Sequence, residues 1–408
     1  MQSDNMDYPI SVRRRQDSRS EAGCDISSPF VPVPTVPIAG PYDFYHLSVI
    51  ISGSCAAFSS IIVLMLMWQH VTHFSNPKEQ IHILRICWFI AVYAIGIFIM
   101  ILVPRTFVYL QSVLVIYESY ALAYFYLLIC QILAGPNAAS QRDVFLAPLV
   151  AHAHRVGTSL PNRDSFFSPF NRFRIHWIGV FQCPVFMVFM TIAASVTQAT
   201  DKYCLSSNKS YYAHIYVQVL QIVSKAAAIL GVVHTYLPLR RELRRHRTLS
   251  KLWAFKLLIF LQVVQTFSFS IVNSRKGPAI EAYGTLSQID ILIGLPLLLV
   301  SCELTFFAVF YHYAYGTILY RLTHEQQQAG KRYDTPGWGV WIEMLKINDL
   351  VNAIKFMFRI NKEVHLLELQ MHMQDASSER REETVSSLKP EGDIGGENRA
   401  MVEIVESA

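Results

Sequence analysis

The sequence predicts an all-α polytopic membrane protein, a bundle of seven transmembrane helices with the N-terminus outside or lumenal and the C-terminus in the cytosol. Of its 408 residues, 52% are hydrophobic and only 16% are charged, whereas about a quarter of the residues of a soluble protein are charged. Apolar stretches of roughly 20 residues recur along the chain, each long enough to cross a hydrocarbon core about 30 Å thick. The predicted spans are residues 47–67, 82–103, 113–134, 175–196, 213–236, 252–273 and 286–313.

The orientation follows from the loops, because lysine and arginine concentrate on the cytosolic side of membrane proteins. Basic residues are dense in the loops after the third and fifth spans, above all in residues 240–251, and sparse in the second, fourth and sixth loops. The basic loops are therefore predicted to be cytosolic. The sequon Asn208-Lys209-Ser210 lies in the fourth loop, on the predicted non-cytosolic side, where asparagine glycosylation is expected.

The segments flanking the spans have a different composition. Residues 1–46 are polar and then proline-rich, which predicts a disordered arm. Residues 321–373 mix aromatic, apolar and basic residues at approximately helical spacing, as in a helix at a membrane interface. Its candidate interface residues are Trp338, Trp341, Ile354 and Phe358. Such a helix packs beneath the bundle or on the bilayer, or alternatively docks a partner. Residues 374–408 are acidic and rich in Ser and Glu, which predicts a disordered tail.

Ionisable residues inside a span cost about 2.5–3.5 kcal/mol each at the helix centre, so they need a structural or functional partner. Four such residues stand out: Glu118, Lys225, Lys256 and Glu303. By depth, Lys256 and Glu303 fall in the inner half and can form an ion pair, while Lys225 can serve either carboxylate. Lys256 is also close enough to the cytosolic edge to extend its ammonium to the headgroups. The glutamines within the spans favour interhelical hydrogen bonds over ligand binding.

Several function classes lack support in the sequence. The basic residues lie in loops between spans, which argues against a nucleic-acid partner. The 7 cysteines contain no CxxC pair, and no metal site or cofactor is expected. No HExxH or nucleophile motif indicates an enzyme. A seven-helix receptor would carry an acidic-Arg pair at the inner end of span three and Asn-Pro-x-x-Tyr in span seven, and this sequence has neither. A retinal protein would carry a lysine in span seven, which is also missing.

Short motifs recur in a fixed order over residues 45–320. They are Asn76-Pro77-Lys78-Glu79-Gln80 with Arg85-Ile86, Tyr117-Glu118-Ser119-Tyr120, Gly179-Val180-Phe181-Gln182, the stretch from Lys256 to Gln265, and Cys302-Glu303-Leu304 leading to His312-Tyr313-Ala314-Tyr315. In these motifs the chain resembles the organic solute transporter alpha-subunit family. The bile-acid-transporting subunits of that family carry a cysteine cluster after span three, where this chain has Ala134-Gly135-Pro136-Asn137. The resemblance is therefore to the broader branch of fungal, plant and animal relatives.

The resemblance and the buried polar residues together predict transport of an amphipathic or anionic organic solute through the bundle. The expected pathway residues are Glu118, Gln182, Lys225, Lys256, Gln265 and Glu303. The resemblance implies a vacuolar or endosomal membrane, with the plasma membrane as the alternative. Expected partners are the lipid bilayer, the solute, and a single-span subunit or a second copy of the chain. The alternative function is a non-transporting membrane organiser whose cytosolic helix recruits a trafficking or autophagy partner.

Overall fold

The computed structural model describes residues 37–38, 40–156, 168–204, 210–244, 290–333 and 338–387, together with 11 positions between 248 and 269. The elements with assigned bounds in these residues are all helical. The α-helices are α1 (Phe44–Thr72), α2 (Pro77–Leu102), α3 (Phe107–Ala134), α4 (Gln141–Val156), α5 (Pro169–Ala199), α6 (Ala213–Leu243), α7 (Leu295–Ala314), α8 (His324–Gln328), α9 (Trp338–Leu345) and α10 (Asn348–Ser387).

In the described part of the chain, 6 helical segments are long and apolar enough to cross a membrane. They contain α1, α2, α3, α5, α6 and α7. These helices confirm six of the predicted spans, in most cases with a few more residues at the ends. The seventh span is entered through a single π-helical turn, Asp290–Gly294. The predicted span 252–273 lies mostly outside the described residues, and the positions described within it are helical.

Helices α2 and α3 form the centre of the bundle. Within the most apolar 18-residue stretch of each, 72% of the residues in the α2 span and 78% in the α3 span are buried, against 28–39% in the other four candidate spans. Helix α2 packs against α1, α3 and α7, and α3 also packs against α4, α5 and α6. The outer helices leave large apolar side chains exposed, for example Phe189, Val223 and Phe306. A surface of this kind is suited to lipid rather than water.

Local sequence features determine where several helices begin and how closely they approach. Asp43 caps α1: its carboxylate accepts a hydrogen bond from the backbone N–H of His46 at 2.9 Å, and this bond holds the pKa of the carboxyl below its ordinary value. Between α5 and α6, a Cβ added at Gly231 would lie 2.8 Å from the backbone carbonyl oxygen of His176. Glycine is required there because the two backbones are nearly in contact.

Residues 338–387 form two helices, α9 and α10, where the sequence pattern predicted one helix. Asn348 and Asp349 stand at the start of α10, a position that their side chains favour. Through Met357 the chain belongs to one compact unit, in which Met344, Leu350 and Phe356 are buried. This burial agrees with the interpretation of a helix packed beneath the bundle.

The residues from Phe358 onward form a second unit. Helix α10 continues to Ser387, so residues 374–387 are helical where the sequence predicted a disordered tail. The physical reason is that Gln, Ala, Glu and Arg are all good helix formers, and the charge argument overlooked this. The rest of the predicted tail, residues 388–408, and most of the predicted N-terminal arm lie outside the described residues.

Candidate functional site

Two of the predicted pathway residues form an ion pair between α3 and α6. Lys225 Nζ lies 2.5 Å from Glu118 Oε2, and the two side chains are 19% and 3% exposed. The second oxygen, Glu118 Oε1, is buried and has no hydrogen-bond partner among the described residues. An ionised carboxylate accepts hydrogen bonds at both oxygens, so one acceptor position of this buried pair is left open.

Gln182 lies on α5 beside this pair, next to Ser224, the residue before Lys225. Its amide Nε2 donates to the backbone carbonyl oxygens of Gly179 at 3.1 Å and Ser224 at 3.2 Å. Its Oε1 accepts a hydrogen bond from the Ser224 hydroxyl at 3.1 Å. These contacts confirm the prediction of an interhelical hydrogen bond and leave Gln182 tied to the backbone of both helices.

A second polar pair joins Gln265, in the predicted sixth span, to Glu303 on α7. Gln265 Nε2 donates to Glu303 Oε1. Both remaining oxygens, Glu303 Oε2 and Gln265 Oε1, are buried and lack a hydrogen-bond partner within the described part of the chain. Lys256 lies outside the described residues, so the predicted Lys256–Glu303 pair stays a prediction. Of the two carboxylates that Lys225 was expected to serve, the structure pairs it with Glu118.

Arg85 is a functional candidate that the sequence analysis did not assign. It is 7% exposed on α2, with its guanidinium 4.8 Å from the centre of the Tyr124 ring. Nη1 lies 2.6 Å from Asp349 Oδ2. The other nitrogens donate to backbone carbonyl oxygens at the end of α9: Met344 at 3.0 Å, Glu343 at 3.1 Å and Lys346 at 2.8 Å. The charge therefore satisfies carbonyls that a helix C-terminus leaves without partners, and it fixes α9 to α2.

The first turns of α10 have a second attachment, at Trp177 on α5. Its indole is fully buried and donates to the backbone carbonyl oxygen of Ala353 at 3.3 Å. The Trp177 ring lies 4.9 Å from Phe356 and 5.2 Å from Phe145, measured between ring centres. Of the candidate interface residues, Trp338 is 85% exposed and Phe358, in the second unit, is 77% exposed. Trp341 and Ile354 are half-buried.

The motif at residues 76–80 does more than begin α2 at Pro77. Gln80 Oε1 accepts from the backbone N–H groups of Ser75 and Asn76, both at 2.9 Å. Glu79 Oε2 accepts from the Tyr320 hydroxyl at 3.0 Å. The motif therefore connects the α1–α2 turn to the end of the last span. The signal in the sequence was three consecutive polar residues, Lys78 to Gln80, at the edge of an apolar stretch.

The basic run at residues 240–251 ends in a residue that is not in a loop. Lys251 is 1% exposed, and its ammonium lies 5.9 Å from the centres of both the Tyr315 and Tyr320 rings. Its Nζ has no hydrogen-bond partner among the described residues. Counting Lys251 as a loop charge was therefore wrong, although the other residues of the run still carry the orientation argument.

The described residues contain no group of three or more His, Cys, Asp or Glu that could hold a metal ion. Cys204, in the fourth loop, forms a disulfide bond, whereas the described cysteines at 55, 87, 130, 183 and 302 are free. Disulfides persist in oxidising compartments, so this bond agrees with the predicted non-cytosolic side of the fourth loop. The predicted glycosylation site, Asn208, lies outside the described residues.

Comparisons with known proteins agree with the motifs. A transmembrane protein 184 homolog of Dictyostelium discoideum is 24% identical over 323 residues, covering 77% of this chain and 62% of the relative. Protein LAZ1 of Arabidopsis thaliana is 23% identical over 256 residues, covering 58% of this chain and 51% of the relative. LAZ1 homolog 2 of the same plant is 24% identical over 242 residues, covering 56% of this chain and 60% of the relative. The matches thus span 51–62% of the length of these three relatives.

No solved structure matches the chain. The sequence profile described as Organic solute transporter Ostalpha matches residues 48–320, from the second turn of α1 to the residues just beyond α7. This range includes the Glu118–Lys225 and Gln265–Glu303 pairs and the motif at residues 76–80. The resemblance seen in the motifs is therefore confirmed: this chain is a multi-pass membrane protein that belongs to the organic solute transporter Ostalpha family.

Proposed function

We propose that the chain is a carrier that moves an amphipathic or anionic organic solute across its membrane. The observation that carries the proposal is the buried Glu118–Lys225 pair with its open oxygen at Glu118 Oε1. A buried ion pair adds little net stability, because desolvation of the two charges offsets their attraction. A buried pair with an unsatisfied acceptor is even less favourable as a purely structural feature, and in a membrane bundle such groups commonly mark a substrate pathway.

The Glu303–Gln265 pair, which joins the last two predicted spans, supports the same function. It again leaves buried carboxylate and amide oxygens without partners in the described residues. In this proposal, Glu118, Lys225, Gln265 and Glu303 line or gate the solute path, with Lys256 as a further pathway residue. Gln182 positions α5 against α6 beside the Glu118–Lys225 pair. The solute contacts Lys225 when the ion pair opens, since an anionic group can replace Glu118 as its partner.

The test is uptake of labelled anionic and steroid-like solutes into proteoliposomes containing the purified full-length chain. Saturable uptake is expected in the wild type and its loss in Glu118→Gln and Glu303→Gln. The matched control is Glu343→Gln, which removes a carboxylate of an exposed pair with Lys346 and should leave uptake unchanged. Each variant is first shown to be monodisperse.

A charge-swapped variant separates a pathway role from a structural one. Glu118→Lys combined with Lys225→Glu keeps an ion pair between α3 and α6, so a structural pair would be restored and uptake with it. A pathway pair would present the wrong charge at each position, and uptake of the anionic solute would remain lost. Full uptake in the swapped variant would therefore contradict the proposed role of this pair.

A second function, recruitment of a cytosolic trafficking or autophagy partner, is supported by the free face of α9. Trp338, Ile342 and Leu345 are 85%, 60% and 62% exposed and are spaced to lie on one side of a helix. Substituting serine at all three positions should abolish recruitment of the partner and leave solute uptake intact. Loss of uptake together with an unchanged distribution among membranes would contradict this function.

A further inference from the structure

A cavity of about 170 Å³ lies between α4, α5 and α6, away from the proposed solute path. It is lined by the first residues of α5 and the last turns of α6, and α4 contributes Pro148 and His152. The prolines explain the space. Pro148 and Pro238 lie inside helices, where each ring displaces the preceding turn and frees a backbone carbonyl. On the predicted topology this is the cytosolic end of the bundle.

The lining of the cavity is basic. It contains Arg172, His152, His176 and His234 and, among the described residues, no carboxylate. Arg172 Nη2 lies 3.1 Å from His152 Nε2, and the rings of His176 and His234 are 5.6 Å apart. Arg172 contributes a positive charge to this small space, no carboxylate lines it among the described residues, and the three imidazoles add hydrogen-bonding groups, so the lining favours an anion.

One arrangement of the hydrogen bonds around His176 makes this residue a donor toward the cavity. The Thr235 hydroxyl lies 3.3 Å from His176 Nδ1 and 3.4 Å from the Tyr126 hydroxyl. If Tyr126 donates to Thr235 and Thr235 donates to Nδ1, the neutral imidazole carries its proton on Nε2. Arg172, His176 and His234 then supply donors, which is the chemistry that holds a phosphate.

The size and the rim of the cavity identify its occupant. Binding pockets for whole organic molecules are about 300–1,000 Å³, so this cavity is suited to a polar headgroup rather than to the transported solute. Exposed apolar residues border it: Leu230 and Leu237 lie one turn before and after His234, and Ile175 lies one turn after Arg172. A molecule bound here would have its headgroup among the basic residues and apolar chains along α5 and α6.

We propose that this cavity binds the phosphomonoester headgroup of a membrane lipid on the cytosolic side. The basic run that begins at Arg240, directly after the cavity wall at Leu239, adds attraction for anionic lipid at about 1 kcal/mol per charge. That attraction depends on the charge of the headgroup and not on the position of its phosphate, whereas the cavity selects a terminal phosphate. The lipid wedges between the ends of α5 and α6 and stabilises their packing, independently of whether the solute path operates.

The test is native mass spectrometry of the full-length purified protein, titrated with phosphatidylinositol monophosphate or with phosphatidylinositol, which lacks the monoester. One molecule of the monophosphate should bind at least about tenfold more tightly than phosphatidylinositol. Arg172→Gln and His234→Gln should each reduce this preference about tenfold. Arg240→Gln, which removes the same charge outside the cavity, should leave the preference within about twofold. Because His234 is exposed, its variant tests the site even if Arg172→Gln fails to fold.

The outcomes separate the sources of the phosphate. Equal binding of the free inositol phosphate headgroup and of the lipid would retain the phosphomonoester site but assign it to a soluble ligand. Equal losses in Arg172→Gln and Arg240→Gln would overturn the proposal, because binding would then reflect the basic run alone. Absence of any preference for the monoester over phosphatidylinositol would also overturn it.

Discussion

Replacing Arg85 tests how strongly this one side chain holds α9 and the first turns of α10 to the spans. Arg85 makes an ion pair with Asp349 and donates to three backbone carbonyl oxygens at the end of α9. A hydrogen bond from a charged group contributes about 1.5–3 kcal/mol, and the partner left behind, Asp349, is 38% exposed and can be hydrated. The contacts share one guanidinium and are not additive. Counted as about two full hydrogen bonds, their loss in Arg85→Gln should weaken docking of residues 338–357 by about 3–5 kcal/mol in total.

Hydrogen exchange of the protein in nanodiscs measures this free energy directly, because protected amides exchange through local opening. A loss of about 3 kcal/mol or more corresponds to a rise in the opening constant of over about 100-fold in peptides from residues 338–357. Arg85→Lys keeps the charge but loses the planar fork, so its effect should be intermediate. Lys346→Gln, which breaks an exposed pair with Glu343, should change exchange by less than about fivefold. Similar, small effects in Arg85→Gln and Lys346→Gln would refute the reasoning.

Two further substitutions test the packing at two places in the bundle by thermal unfolding in detergent. Gly231→Ala places a Cβ 2.8 Å from a backbone oxygen of α5 and should lower the stability by about 1–3 kcal/mol. The control is Gly339→Ala, which has nothing within 4 Å of the added Cβ and should not lower the Tm. Equal decreases in Tm for the two variants would contradict the argument that α5 and α6 approach closely at Gly231. Tyr320→Phe removes a hydroxyl that donates to the buried Glu79 carboxylate and should cost about 1–3 kcal/mol. Tyr216→Phe, at a tyrosine that is 54% exposed, should leave the Tm unchanged; a Tyr320→Phe protein as stable as the wild type would indicate that water replaces the lost hydroxyl.

The spans could be predicted because hydropathy is a property of the sequence itself, and a membrane imposes one length on every crossing helix. Their ends were less certain because charged residues can belong to a spanning helix. Helix α5 begins at Pro169 and contains Arg172 and Arg174, which the charge count assigned to a loop. The extra turns bring Trp177 and Arg172 onto the same helix, where one binds the start of α10 and the other lines the basic cavity.

The pairing of polar residues could be predicted only in part. The predicted spans placed Glu118 near the start of its helix and Lys225 near the middle of its own, yet the two residues form one pair. Helix α3 begins at Phe107, before its predicted span, so both residues lie at similar distances from the first residues of their helices. Arg85 could not have been matched to Asp349, since 264 residues separate them and no sequence pattern records which helix face meets which. Residues 76–80 show the opposite case, because their clustered polarity was visible but its partner, Tyr320, was not.

The attachment of α9 and α10 to the spans determines where the chain can be cut. Removing everything after Gly330 would delete Asp349 and the carbonyls that Arg85 contacts, and it would uncover the Trp177 indole. The loss of these partners would leave the Arg85 charge and the Trp177 indole without their hydrogen bonds and would destabilise the truncated protein. A negative result with that protein would therefore give no information about recruitment of a partner. A truncation that ends after Met357, the limit of the first unit, keeps both attachments. Only that shorter deletion separates the activity of the spans from that of the tail.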